Sequence, residues 1–178
     1  MCRKTLSLYQ ELVARKQRRQ EKKPITVLQM LPELDGGGVE RGTLEMGRFL
    51  AENGHNSLVV SASGRLVPQL EKEGSRHIPM RVGDKSPAVL AHLWPLRKII
   101  QQEKVDILHL RSRMPAWVGY LVWKTLPKNN RPALITTFHG FYSVNSYSAI
   151  MTKGDAIIAV SRSIQQHILE NYGCSKNV

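Results

Sequence analysis

The sequence predicts an α/β domain, a parallel sheet with helices on both faces, on three observations. Short apolar runs alternate with helical patterns from Pro24 onward, which is the rhythm of strand–helix–strand units. The first apolar run is followed by Gly36, Gly37 and Gly38, and such a turn opens these units. Polar, glycine and cationic residues then gather after the apolar runs. In parallel sheets ligands bind beyond the C-terminal strand ends, so that edge would carry the chemistry. The arrangement is Rossmann-like.

Each element can be justified in turn. Residues 25–31 form a short, mainly apolar run between Pro24 and Pro32, as expected of a buried strand. Further strands are predicted at 57–60, 107–110, 134–138 and 156–160, with a weaker one at 77–80. Helical periodicity covers 39–53, 67–73, 88–103, 115–124 and 163–172. Gly54 and Gly173 are helix stops, and Ser163 with Gln166 has the capping-box form. Pro95 interrupts the long middle helix and predicts a kink or break. Residues 128–132 read as a polar turn with two asparagines.

A chain of 178 residues suits one domain with one good core. No apolar run is long enough to span a bilayer, and no apolar signal-peptide core lies near Met1. Cys2 and Cys174 stand near opposite ends without metal-ligand spacing, which fits a reducing cytoplasm. The net charge of +12 is concentrated at the start: residues 1–23 hold eight Lys/Arg and two Glu. This segment is expected to be a basic, amphipathic extension outside the sheet domain, with Leu8, Leu12 and Val13 on one face. It would either rest on an anionic membrane surface or remain a solvated tail. Nucleic acid is not an expected partner, because the aromatic residues are not interleaved with the basic cluster.

The strand ends supply the candidate site. The glycine turn offers bare N–H groups and a helix N-terminus, which suit a phosphate or polar sugar; otherwise it is only a tight turn. A dinucleotide fingerprint is disfavoured, since Arg41 stands where the third glycine of G-x-G-x-x-G belongs. Glu40, in the first helical turn, would favour the helix dipole or bind a hydroxyl. Arg111 and Arg113 flank Ser112, so in extended chain both would point to one side and clamp an anion, unless they are only surface cations. His139 precedes Gly140 at a strand end and would accept a proton or hydrogen bond from substrate, or merely cap the strand. His109 and His55 read as structural. Asp106 and Asp155 precede strands and read as turn residues at the opposite edge. There is no Asp-x-Asp pair, no P-loop and no G-x-S-x-G turn.

The ordered set now resembles a family. Residues 25–41 with the glycine–glutamate turn, Arg111-Ser112-Arg113-Met114-Pro115-Ala116-Trp117, Thr137-Phe138-His139-Gly140 and Ala159-Val160-Ser161 resemble family 4 glycosyltransferases of the GT-B fold, especially bacterial members that build lipopolysaccharide or related glycans. The resemblance implies two Rossmann-like domains facing across a cleft, the N-terminal one holding the acceptor and the C-terminal one the nucleotide-sugar donor. It implies retaining, metal-independent transfer without a cofactor. Gly37 and Gly38, with Gly36 in the same turn, would lie near the donor diphosphate or transferred sugar. His139 would be the catalytic-cleft histidine, and Arg111 and Arg113 would line the acceptor side. The partners implied are a nucleotide-sugar and a glycan or lipid-linked acceptor, at the inner face of the cytoplasmic membrane. Residues 24–178 would be the N-terminal domain alone, with the donor-binding domain absent and the isolated chain inactive. The alternative is a non-catalytic module that binds a membrane, glycan or protein partner.

Overall fold

The computed structural model describes residues 5–7, 9–10, 23–174 and 178. Six strands form one sheet: β1 (Thr26–Met30), β2 (Asn56–Ser61), β3 (Arg76–Pro79), β4 (Ile107–Leu110), β5 (Ala133–Phe138) and β6 (Ala156–Ala159). Their order is β3-β2-β1-β4-β5-β6, and every pairing is parallel. The chain reverses its direction of travel between β1 and β4, so a crevice opens beyond their C-terminal ends. The predicted Rossmann-like sheet is therefore present.

From residue 23 onward the described residues form helices α1 (Gly38–Glu52), α2 (Val67–Lys72), α3 (Leu93–Gln102), α4 (Arg113–Thr125) and α5 (Arg162–Tyr172). Alternation along the strands divides their side chains between two layers. Leu28, Met30, Leu108, Leu110 and Leu134 meet Leu96 and Ile100 of α3, Val118 and Val122 of α4, and Ile164 and Ile168 of α5. Val27, Ile107 and Ile135 face the other way, toward Met46 and Leu50 of α1. Gly119 lets α4 sit close to the sheet, because a β-carbon there would stand 2.5 Å from Leu110 Cδ2.

The helix signals resolve with two corrections. The pattern at 88–103 splits into a 3-10 turn (Pro87–His92) and α3. Pro95 falls in the first turn of α3, where its missing N–H has no intrahelical partner to lose. The cap of α5 is Ser161 rather than Ser163: its hydroxyl accepts from the Ile164 N–H at 3.2 Å. Gly54 and Gly173 follow their helices at φ of 75° and 62°, as stops should.

The segment before Pro24 departs from expectation. Thr5, Leu6 and Tyr9 are buried, and Leu6 and Tyr9 join the core beside Val27, Ile107, Ile135 and Ala156. The described part of 1–23 is thus integrated in the domain rather than appended to it. The reason is geometric: the α1 face of β4, β5 and β6 is apolar, and these side chains cover it. Most of the basic cluster invoked for membrane contact lies outside the described residues, as do Leu8, Leu12 and Val13.

Candidate active site

Three of the predicted residues come together. A cavity of about 510 Å³ opens at the C-terminal strand ends on the α1 side of the sheet. Gly38, Arg111 and His139 line it, together with Thr5, Arg41, Glu45, His109 and Thr137. Gly38 belongs because it begins α1, and among the described residues nothing lies within 4 Å of where its β-carbon would be. His109, Arg111, Thr137 and His139 belong because they alternate along β4 and β5 and share the face that bears Ile107 and Ile135. That one face is apolar near the strand starts and polar near their ends.

Arg111 is buried with a defined partner. Its Nη1 donates to Gln29 Oε1 at 2.8 Å, and Gln29 Nε2 donates to the Thr43 carbonyl at 3.2 Å. Gln29 thereby ties the guanidinium to α1 through the middle of β1. The helix must leave room for it: a β-carbon at Gly42 would stand 2.9 Å from Arg111 Nη2.

His139 is held differently. Its Nε2 is buried and has no hydrogen-bond partner among the described residues. Burial, and secondarily the charge of Arg111, push its pKa down to about 4. The ring is neutral at physiological pH and too weak a base to abstract a proton efficiently there. It suits a hydrogen bond to a ligand hydroxyl or to charge that develops during reaction.

His109 was read as structural, yet it lines the same cavity. Its Nδ1 meets the Tyr9 hydroxyl, and its Nε2 lies 2.7 Å from Thr137 Oγ1. Burial first, then the charges of Arg111 and His139, hold its pKa well below the usual histidine value. Sequence reasoning missed Thr137 and Tyr9. Thr137 could have been found by counting two residues back from His139 along the strand.

The other predicted residues do not line the cavity. Gly36 faces the guanidinium of Arg65, whose backbone N–H donates to Asp35 Oδ1 at 3.1 Å. At Gly37 an added β-carbon would stand 2.5 Å from Glu40 Oε2, so that carboxylate lies against its own helix start. Arg113 does not share a side with Arg111. Ser112 is the last extended residue before α4, and Arg113 is already the first helical residue. Arg113 Nη1 donates to Ser148 Oγ at 3.3 Å, and its guanidinium stands over the rings of Tyr142 and Tyr147. The expected two-arginine clamp is therefore not formed.

Comparison with known proteins bears on the family and the fold. The model of Glycosyltransferase Family 4 matches residues 36–178. A glycosyltransferase from Rickettsia africae ESF-5 is 41% identical, with a TM-score of 0.73 over 85% of this chain and 40% of that one. The chain thus spans about two fifths of that relative's length. A candidate UDP-N-acetylglucosamine 2-epimerase from Listeria monocytogenes, 14% identical, shares the fold at a TM-score of 0.60 over 86% of this chain and 43% of that one. A sucrose-phosphate synthase from Thermosynechococcus elongatus does so at 0.54 and 13% identity, over 87% of this chain and 84% of that one. No curated protein matches the chain. With a family model that spans most of the sequence and a close structural relative, this chain belongs to glycosyltransferase family 4.

Proposed function

We propose that the chain is the acceptor-side domain of a glycosyltransferase. It works with a second, donor-binding domain to move a sugar from a nucleotide-sugar to a glycan or lipid-linked acceptor. The observation that carries this reading is the buried Nε2 of His139, without a partner among the described residues and set in a cavity with Arg111 and the open backbone of Gly38. An unsatisfied buried polar atom is costly, and a bound hydroxyl would satisfy it. Gly38 also starts a 15-residue helix, so its end favours the negative charge of a diphosphate.

Each residue takes a role in this reading. His139 donates or accepts a hydrogen bond at the transferred sugar and stabilises the transition state. Gly38, with Gly36 and Gly37 shaping the turn, admits the donor close to backbone. Arg111 adds positive potential at the cavity wall. Glu40 keeps the glycine turn in place, and Arg113 shapes the acceptor side through Tyr142 and Tyr147. Transfer retains configuration and needs no divalent cation, in keeping with the family resemblance. The acceptor belongs to lipopolysaccharide or another cell-surface polysaccharide, made at the cytoplasmic face of the membrane. Among the described residues no helix is long and apolar enough to cross a membrane, which is compatible with peripheral attachment.

The test joins the chain to a donor-binding domain and supplies nucleotide-sugars and glycan acceptors with a chelator present. Sugar transfer supports the reading. A folded protein that transfers none of the sugars offered, with or without metal, overturns it.

A further inference from the structure

We propose that Tyr9 is a positioning residue of the cavity: its hydroxyl fixes the His109 tautomer that makes Thr137 a hydrogen-bond donor toward a bound, oxygen-rich ligand. The ligand half of this inference rests on reading the cavity as a substrate site. Tyr9 lies outside the stretch that matches the family model, which begins at residue 36.

The argument is one of hydrogen-bond supply. His109 is 1% exposed, and both of its ring nitrogens are engaged, Nδ1 with the Tyr9 hydroxyl and Nε2 with Thr137 Oγ1. A neutral imidazole has one N–H and one lone pair, so one neighbour must donate to it and the other must accept from it. Tyr9 and Thr137 both carry hydroxyls, but the phenol is by far the stronger acid. The phenol therefore donates to Nδ1, and the ring proton resides on Nε2. Nε2–H then donates to Thr137 Oγ1.

The consequence reaches the cavity. Once Thr137 Oγ1 accepts from His109, its own hydrogen is left for another acceptor. Thr137 lines the cavity two residues from His139 on the same strand face. The wall then offers a hydroxyl hydrogen near the imidazole of His139. A sugar hydroxyl, a ring oxygen or a phosphate oxygen fits that pair. Without the phenol, Thr137 could spend its hydrogen on His109 and offer the ligand only lone pairs. The edge-on packing of the two rings, with centroids 5.7 Å apart at 80°, keeps the phenol in place.

The experiment reads the ring itself. The whole chain, labelled with ¹⁵N-histidine, is studied by long-range ¹H–¹⁵N correlation at neutral pH without ligand. Wild type should show His109 with a bare Nδ1 and a protonated Nε2, as a single form. A protonated Nδ1 in wild type overturns the proposal, and this measurement needs no variant to fold. Tyr9→Phe should lose the single form and gain Nδ1-protonated ring; an unchanged spectrum overturns it. Thr137→Val should keep the wild-type tautomer, because the phenol alone selects it, and a switch in that variant overturns it too. These outcomes do not depend on sugar transfer, so failure here and failure of the glycosyltransferase reading remain distinguishable.

Discussion

The two edges of the sheet carry similar polar residues and use them in opposite ways. At the N-terminal edge, Asp106 Oδ2 accepts from the Thr26 N–H and Asp155 Oδ2 from the Leu134 N–H, each at 2.8 Å. Each carboxylate thus fastens the start of a neighbouring strand. Arg131 there donates to the carbonyls of Leu126 and Lys124 and lies over the Trp123 ring. At the C-terminal edge, among the described residues, His139 Nε2 is buried without a hydrogen-bond partner and Gly38 has open space beside it. A second cavity of about 400 Å³ lies at the N-terminal edge, lined by Lys104, Asp106 and Arg131 among others. Volume therefore does not distinguish the edges. What distinguishes them is that the C-terminal edge, where Arg111 and His109 are engaged, keeps the buried His139 Nε2 in reserve.

The sharpest way to break this comparison is His139→Ala in the enzyme joined to its donor-binding half. Turnover should fall about a hundredfold or more, the usual worth of a transition-state hydrogen bond in a water-poor site. The melting temperature should hardly change, because no partner of Nε2 is lost. Unchanged turnover in a folded variant would show that the vacant nitrogen has no catalytic use.

Gly38→Val should separate function from folding in the same assay. The position has room for a side chain, so thermal unfolding should stay near wild type while turnover drops as the branched group meets the ligand. Gly64 is the contrast. Its φ of 156° and its contact with the Leu34 backbone make Gly64→Val a folding defect. If Gly38→Val also unfolded the protein, the glycine turn would be structural and its place in the site would be lost.

Asp106→Ala should produce the reverse pattern at the other edge. Removing the carboxylate leaves the Thr26 N–H without its acceptor, a loss of about 1–2 kcal/mol measured by urea denaturation. Transfer per folded molecule should be unaffected. A selective loss of turnover would mean that the N-terminal edge also takes part in the chemistry.

How much of this was legible in the sequence follows from which forces were local. The strands, the glycine turn and the helix stops were readable because apolar runs and glycines act within a few residues. His139 and Gly38 were readable because strand ends locate the crevice. The pairing of Arg111 with Arg113 failed because a helix begins right after Ser112: one residue of helix start turns the second guanidinium away. Leu6 and Tyr9 were hidden for another reason. Their burial depends on an uncovered apolar patch formed by β4, β5 and β6 far along the chain, and no local periodicity reports that. Gln29 likewise looks like an interruption in an apolar strand until Arg111 arrives to use it.

The smallest effect concerns pH and tests whether the two cavity histidines are held neutral. His139 has its pKa lowered from 6.5 to about 4 in the folded state, mainly by burial and then by Arg111. Between those values the unfolded chain binds more protons than the folded one, so stability rises with pH through the window. The contribution is fully present above pH 6.5 and is lost as pH falls toward 4. His109, also shifted downward, acts in the same direction, as do His55 and His77. Urea midpoints measured across this range should fall with acid in wild type. His139→Gln should flatten part of that slope. Coincident slopes for wild type and His139→Gln would mean that the imidazole titrates normally, and the contrast between a spent edge and a reserved one would lose its electrostatic half.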